Sequence, residues 1–327
     1  ITSTDSSLLS RVDSPSGTLP VDMLAVLPLL VSTSIRGGCV VVTGASRGLG
    51  VGIARAFATE GAATVCLVAR SEAGLQSVCR GLAAEHPNVC FHPIAADVTD
   101  PGGRARIVRS VESIGQRLLL VNNAGIESWG PFEHATEASV EEQVAVNLLA
   151  PMLLTRALLP LMLSAGGGSV IHVASLAGKL GSPNSAAYTA SKHGLVGFSR
   201  ALRSEYASRG VSSCVVCPSF VDTALLDSLV AKAGGERPPW ISTTTCDAVS
   251  SACVRAALGD EPEALVNRVP MRPLLALYEA LPRLPQLVDQ ALPGLLAFNR
   301  ACGRDDEDGD EHSDNDGVRG GGGGGGG

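Results

Sequence analysis

Tyr188 and Lys192, in the stretch AAYTASKHG, are the first residues whose types and spacing could do chemistry. The chain holds only three tyrosines and three lysines, so a pair four positions apart needs a reason. On a helix, positions i and i+4 share a face. A phenol with a pKa of about 10 can donate a proton but is a poor base. An ammonium one turn away stabilises the phenolate and draws the pKa toward neutrality. Such a pair suits giving a proton to an oxygen that becomes an alkoxide, or taking it back in reverse. Ser175, ending the apolar run GSVIHVAS, is placed to hydrogen-bond the same oxygen as its charge develops. His193 lies one residue along, turned about 100° away, and reads as a surface or supporting residue.

A second group is TGASRGLG, residues 43 to 50, between an apolar run and a helical pattern. Gly44 permits a tight turn, while Gly48 and Gly50 let backbone approach a pyrophosphate and let the helix pack on the strand. The helix N-terminus favours the anion. The spacing is G-x-x-x-G-x-G, which differs from the standard dinucleotide fingerprint. Ala69 stands where a ribose-reading carboxylate is expected, about 20 residues beyond the glycines. A carboxylate there would repel a 2′-phosphate; its absence, with Arg70 adjacent and Arg47 in the turn, favours NADP over NAD.

These groups need a scaffold, and the pattern from residue 37 supplies one. Short β-branched runs (CVVVTG, TVCLVAR, CFHPIAADV, LLLVNNAG, GSVIHVAS, VSSCVVCPS) alternate with helical stretches, including long ones at 136 to 165 and 185 to 208. Strands that are apolar throughout and separated by helices indicate a parallel sheet covered on both faces, the doubly wound α/β class. A helix from about 245 to 258 and the run ALVNRVP, 264 to 270, could close the sheet. The chain divides into a disordered or leader-like segment 1–36, a Rossmann-type catalytic domain 37–270, an apolar, proline-broken helical extension 271–302, and a tail 303–327 that is acidic and then polyglycine. Ser and Thr in 1–36 resemble a transit peptide, while Asp5, Asp13 and Asp22 count against one.

Bulk properties exclude other classes. The net charge of −7 is concentrated in the tail, leaving the rest close to neutral, which excludes a nucleic-acid binder or a basic membrane-surface protein. Nine scattered cysteines show no framework spacing and read as reduced thiols of an intracellular protein. Cys214 and Cys217 form a CxxC, but a strand would point them to opposite faces, so no metal site is expected. The most apolar stretch, 148 to 163, contains Arg156 and two prolines and reads as a buried amphipathic helix rather than a membrane span.

TGASRGLG, NNAG at 122 to 125, Asn147 in VAVNLLA, Ser175, and Tyr188 with Lys192 together resemble the short-chain dehydrogenase/reductase superfamily over about residues 37 to 270. The resemblance implies a Rossmann-type fold, a nicotinamide cofactor and reversible carbonyl/alcohol chemistry, with Asn147, Ser175, Tyr188 and Lys192 catalytic. Lys192 would also bond the nicotinamide ribose, and Asn147 would hold a water in a proton relay to it. Gly44, Ser46, Arg47, Gly48, Leu49, Gly50 and Arg70 would bind the cofactor; Asp97 and Val98 would hold its adenine. Asn123, Ala124 and Gly125 would line it and steady the sheet. In PSFVDT, Pro218, Val221 and Thr223 match the family's carboxamide segment, whereas Ser219 replaces a glycine. The family also implies a homodimer or homotetramer, here through 136 to 165 and 185 to 208, whose small residues allow close packing.

Substrate identity falls to the segment after the sixth strand, Phe220 to Arg268. Leu225, Leu226, Leu229, Val230 and Trp240 make it apolar, which points to an apolar or amphipathic carbonyl compound such as a steroid, retinoid or acyl chain. The stretch 271 to 300 could cover that pocket, pack on the core or rest on a membrane surface. The competing readings are a 3-oxoacyl-thioester reductase of fatty-acid synthesis and a non-catalytic NADP-binding scaffold. Cytoplasm, plastid and membrane periphery are all compatible compartments.

Overall fold

A computed structural model describes residues 35–222, 226, 243–281, 283, 284 and 287. Thr223, Leu225, Leu229, Val230, Trp240, nearly all of 1–36, most of the extension beyond 281 and the tail 303–327 lie outside the described residues.

Seven strands form one parallel sheet: β1 (Cys39–Thr43), β2 (Thr64–Ala69), β3 (Cys90–Ala95), β4 (Leu118–Asn122), β5 (Gly168–Val173), β6 (Val211–Pro218) and β9 (Glu263–Val266). Their order is β3-β2-β1-β4-β5-β6-β9. A two-stranded pair, β7 (Phe220–Val221) and β8 (Thr243–Thr244), stands apart. The helices are α1 (Gly48–Thr59), α2 (Glu72–Glu85), α3 (Pro101–Glu112), α4 (Glu137–Val144), α5 (Ala150–Ser164), α6 (Ala186–Tyr206), α7 (Cys246–Gly259) and α8 (Arg272–Ala280). The doubly wound α/β reading holds. The strand order reverses direction beside β1, between β2 and β4, and at such a switch the carboxyl ends of the strands leave a crevice.

Alternate residues of each central strand feed opposite layers. Val40, Val42, Val65 and Leu67 pack with Ile53 and Phe57 of α1, Leu75 of α2 and Val249 of α7. Val41, Cys66, Val68 and Leu120 pack with Ile107 of α3 and Leu154, Leu158 and Met162 of α5. Each fully buried leucine contributes about 2 kcal/mol, so the faces hold the helices firmly. Cys214 belongs to the first layer and Cys217 to the cluster beneath α6, on opposite faces as expected, and the described cysteines are free.

Two expectations need correction. β3 is not apolar throughout: Cys90, His92 and Pro93 are exposed, because it is the edge strand and an edge tolerates proline. The helical region 136 to 165 is continuous but not uniform, since a π-helical turn, Ala145–Leu149, joins α4 to α5. The resulting 28-residue helix Glu137–Ser164 holds an 18-residue window of mean hydropathy 1.7, long and apolar enough to cross a membrane by composition, contrary to the sequence reading. It instead lies along the sheet, with Thr155 bonded to Asn122 and four large side chains in the core. The extension begins as α8, which buries Leu275 but leaves Leu274 and Leu277 exposed, as are Leu281 and Leu287 beyond it.

Candidate active site

At the end of β1 the chain turns sharply into α1. Gly44 has φ +68°, and a Cβ there would sit 2.9 Å from Ala124 Cα. A Cβ on Gly50 would collide with Gly44 O and lie 2.9 Å from Ala45 Cα. Gly48, φ +56°, differs: its Cβ would meet nothing within 4 Å. Side chains cap α2, α3, α4 and α7 through Ser71, Asp100, Thr136 and Thr245, but Arg47 gives α1 no side-chain cap. The first amides of α1 are therefore left without a side-chain partner, the state in which a helix start can bind an anion. Ser46 and Leu49 are half-buried in the turn; Arg47 and Arg70 are exposed beside it.

Thr43 ties this turn to NNAG. Its Oγ1 accepts from the amides of Asn123 (2.9 Å) and Ala124 (3.0 Å), and Asn123 Nδ2 donates to Thr43 O at 2.9 Å. The neighbouring wall is Asp97 and Val98. Thr99 donates to Asp97 Oδ1 through both its amide (2.8 Å) and its hydroxyl (2.6 Å), and holds that carboxyl below its usual range, with Arg70 and Arg104 assisting. Arg104 also bonds Val98 O at 2.8 Å.

Ser175 begins a short 3-10 turn after β5, where its Oγ accepts from Ala177 N at 3.1 Å. That turn nearly touches α6, since a Cβ on Gly178 would lie 2.8 Å from Lys192 O. The approach brings Ser175 to the Tyr188 phenol. Lys192 is buried, its Nζ donating to Val173 O at 3.1 Å and lying 5.5 Å from the Tyr188 ring centroid. Asn147 sits in the π turn, fully buried, and its amide clamps Ile126: Oδ1 accepts from Ile126 N (2.9 Å), while Nδ2 donates to Ile126 O (2.8 Å) and Ser191 Oγ (3.2 Å). Gly125 lies between Asn147 and Lys192; a Cβ there would be 3.2 Å from Asn147 Oδ1 and 3.4 Å from Lys192 Nζ. His193 is exposed and bonds its own helix at Thr189 O, 2.9 Å.

The Tyr188 phenol is held well above its ordinary pKa, first by burial and next by the charge of Glu127; Ser175 pulls the other way by donating toward the phenol oxygen, and Cys217 adds a smaller rise. Burial draws Lys192 itself to about 8, against the pull of Glu127 and Cys217. Glu127, absent from the sequence reading, is pushed up to about 7 by burial, with Lys192 and the Trp129 indole favouring its charged form. The available signal was an acidic residue in the otherwise uncharged stretch NAGIESWG just past the fourth strand.

β6 ends at Pro218, which is buried, and Val221 is half-buried in β7. Ser219, in the glycine position, adopts no left-handed backbone, bonds Val266 O through its amide at 3.0 Å, and keeps its Oγ buried with no hydrogen-bond partner among the described residues. Trp129 stacks on Phe220 at 6.4 Å and 22°, forming an aromatic wall.

A family model described as short chain dehydrogenase matches residues 38–234. The ketoacyl reductase HetN of Nostoc sp. is 38% identical over 264 residues, covering 80% of this chain and 87% of that protein. A metagenomic short-chain oxidoreductase solved in complex with NADP has 33% identity and a TM-score of 0.60, covering 72% of this chain and 98% of its own. L-sorbose reductase of Gluconobacter frateurii, solved with NADPH and L-sorbose, has 27% identity and a TM-score of 0.65, covering 72% and 97%. The chain belongs to the short-chain dehydrogenase/reductase family and is an oxidoreductase, not the non-catalytic scaffold weighed from the sequence.

Proposed function

We propose that this enzyme is an NADP-dependent carbonyl reductase or alcohol dehydrogenase acting on an apolar or lipid-like substrate, with Tyr188 as proton donor. The observation that carries the reading is the meeting of Ser175, Tyr188 and Lys192 beside the glycine turn, at the carboxyl ends of the strands. The residues fit a dinucleotide: an uncapped helix start, an open position at Gly48, and the buried, unpartnered hydroxyl of Ser219 all suit a polar ligand. When bound, the nicotinamide supplies or accepts the hydride.

The chain's own residues do the rest. Gly44, Ser46, Gly48, Leu49, Gly50 and the α1 amides would hold the pyrophosphate; Arg47 and Arg70 would meet the 2′-phosphate, with no carboxylate at Ala69 to repel it. Asp97 and Val98 would take the adenine, and Asn123, Ala124, Gly125, Pro218, Val221 and, from its place in the sequence, Thr223 the nicotinamide side. Ser175 orients the carbonyl oxygen. Burial keeps Tyr188 a phenol, which suits donation to that oxygen during reduction. Lys192 would hold the nicotinamide ribose, and Asn147 would hold a water in a proton relay to Lys192. The NADP and NADPH found in two structural neighbours support the cofactor.

Buried Leu226 and the Trp129–Phe220 wall support an apolar substrate body. The exposed leucines of α8 support contact with a membrane periphery where such a molecule is met, in an intracellular compartment. A homodimer or homotetramer accords with the family, although the close approach at Gly194 is intramolecular, to Leu148. A second reading, 3-oxoacyl-thioester reduction, draws support from the name of the Nostoc relative. The test is turnover of a broad carbonyl panel with NADPH and NADH side by side. Faster oxidation of NADPH on apolar ketones is expected; no turnover with any carbonyl, or a clear NADH preference, would refute the reading.

A further inference from the structure

We propose that the ion pair of Lys179 with Glu263 is a strut that sets Ser175 against Tyr188, making both partners positioning residues for the proton transfer. This deepens the carbonyl-reductase reading above and rests on it.

The turn that carries Ser175 closes on itself. Gly178 N donates to Ser175 O at 2.9 Å, and Lys179 N and Leu180 N both donate to Leu176 O, at 2.9 and 3.0 Å. Ser175 Oγ takes the Ala177 amide. Such bonds fix the shape of the turn but not its place on the sheet. The chain beyond it, 180 to 184, is half-buried or exposed. A short turn with a loosely packed exit opens locally unless a tie from outside holds it.

Lys179 supplies the tie. Its Nζ lies 3.1 Å from Glu263 Oε2, and the two side chains are only 8% and 16% exposed. Among the described residues this is the one ion pair that leaves the turn. Glu263 opens β9 opposite Val215 of β6, so the anchor is the sheet itself. The same carboxylate oxygen takes Arg200 of α6 at 2.9 Å, and Glu263 O takes Arg272 of α8, also at 2.9 Å. Burial pushes the Glu263 carboxyl up, yet the bonds from Lys179 and Arg200 hold it below its usual range.

Along α6, Lys192, Val196 and Arg200 recur every four residues and share one face. A Cβ on Gly178 would sit 2.8 Å from Lys192 O and 3.1 Å from Val196 Cγ2, while Leu176 packs against the cluster of Leu195, Val196 and Val215. The turn is thus pressed along the helix that carries Tyr188 and Lys192, and Glu263 joins the two at Arg200, one helical turn past Val196. Losing the Lys179 ammonium releases the turn but leaves the helix in place, because Glu263 keeps Arg200 and Lys192 keeps Val173 O. A shift of about 1 Å in a substrate-orienting group is enough to cost about 100-fold in rate.

The experiment measures ketone turnover, NADPH affinity and amide hydrogen exchange for wild type, Lys179→Met, Lys179→Gln and Lys179→Arg, with Lys179→Met also made in a Ser175→Ala background. Lys179→Met should lower kcat about 10- to 100-fold while NADPH affinity stays within about twofold. Its amides at 177 to 180 should exchange faster than in wild type. Lys179→Gln, which keeps a donor, should fall between, and Lys179→Arg, which keeps the charge, should recover most of the rate. Because the pair acts through Ser175, the loss from Lys179→Met should shrink to less than about twofold once Ser175 is alanine. A merely structural pair would cost the same factor in both backgrounds. That result overturns the proposal, as does unchanged turnover or unchanged exchange in Lys179→Met. Faster exchange in Lys179→Met, with no carbonyl reduced by wild type, would instead sink the reductase reading.

Discussion

Gly48 and Gly50 separate the needs of the fold from those of the cofactor. Alanine at Gly50 would put its Cβ 2.9 Å from Ala45 Cα and into Gly44 O, both backbone, so the turn has to open. Overpacking of that kind costs about 1–3 kcal/mol. Alanine at Gly48 meets no protein atom within 4 Å, and only its φ of +56° is strained, at about 1 kcal/mol. If the open space at Gly48 is where the pyrophosphate approaches, the methyl group displaces it and removes one or two charge-assisted bonds of about 1.5–3 kcal/mol each, weakening binding by at least about tenfold. Urea unfolding gives the stabilities and NADPH fluorescence titration the affinities. Gly50→Ala should lose stability and affinity together, whereas Gly48→Ala should lose mainly affinity. Binding of NADPH by Gly48→Ala within about twofold of wild type would refute the cradle argument.

Two further predictions concern the frame behind the site. Arg203 grips Asp260 with two bonds of 2.7 Å, joining α6 to the end of α7, and Asp260 is buried. Asp260→Asn keeps a residue that tolerates its φ of +49° but unpairs the arginine, and unfolding should show a loss of about 3 kcal/mol. His172 is fully buried, contacts Asn122 at 3.3 Å, and is drawn down to about 3 by burial, with Lys192 contributing. Its folded pKa lies below its unfolded one, so stability is full above about 6.5 and is lost as pH falls toward 3, amounting to about 2 kcal/mol by pH 5. His172→Gln should flatten that acid limb in urea unfolding at a series of pH values.

The alternation of β-branched runs with helices fixed the doubly wound sheet in the sequence, because parallel strands covered on both faces must be apolar along their length. It misjudged β3, since an edge position is a property of the assembled sheet and not of CFHPIA. The π turn was invisible because a shift from four-residue to five-residue bonding leaves composition unchanged. In the site, the glycine turn, Ser175, Tyr188 and Lys192 were legible from type and spacing. The charge balance was not. Tyr188 and Lys192 stand one turn apart in the sequence, whereas Glu127 comes from a distant segment and burial from the whole fold, and both raise the phenol.

The central claim is that Tyr188 delivers a proton to a carbonyl oxygen beside bound NADPH. Tyr188→Phe removes that single oxygen and leaves the Lys192–Val173 bond and the glycine turn in place. NADPH affinity and ketone turnover measured on the same preparation test it most directly. The account predicts affinity within about threefold of wild type and a fall in kcat of about 10²–10⁴-fold. A variant that binds NADPH and still reduces the ketone at a rate close to wild type would contradict it.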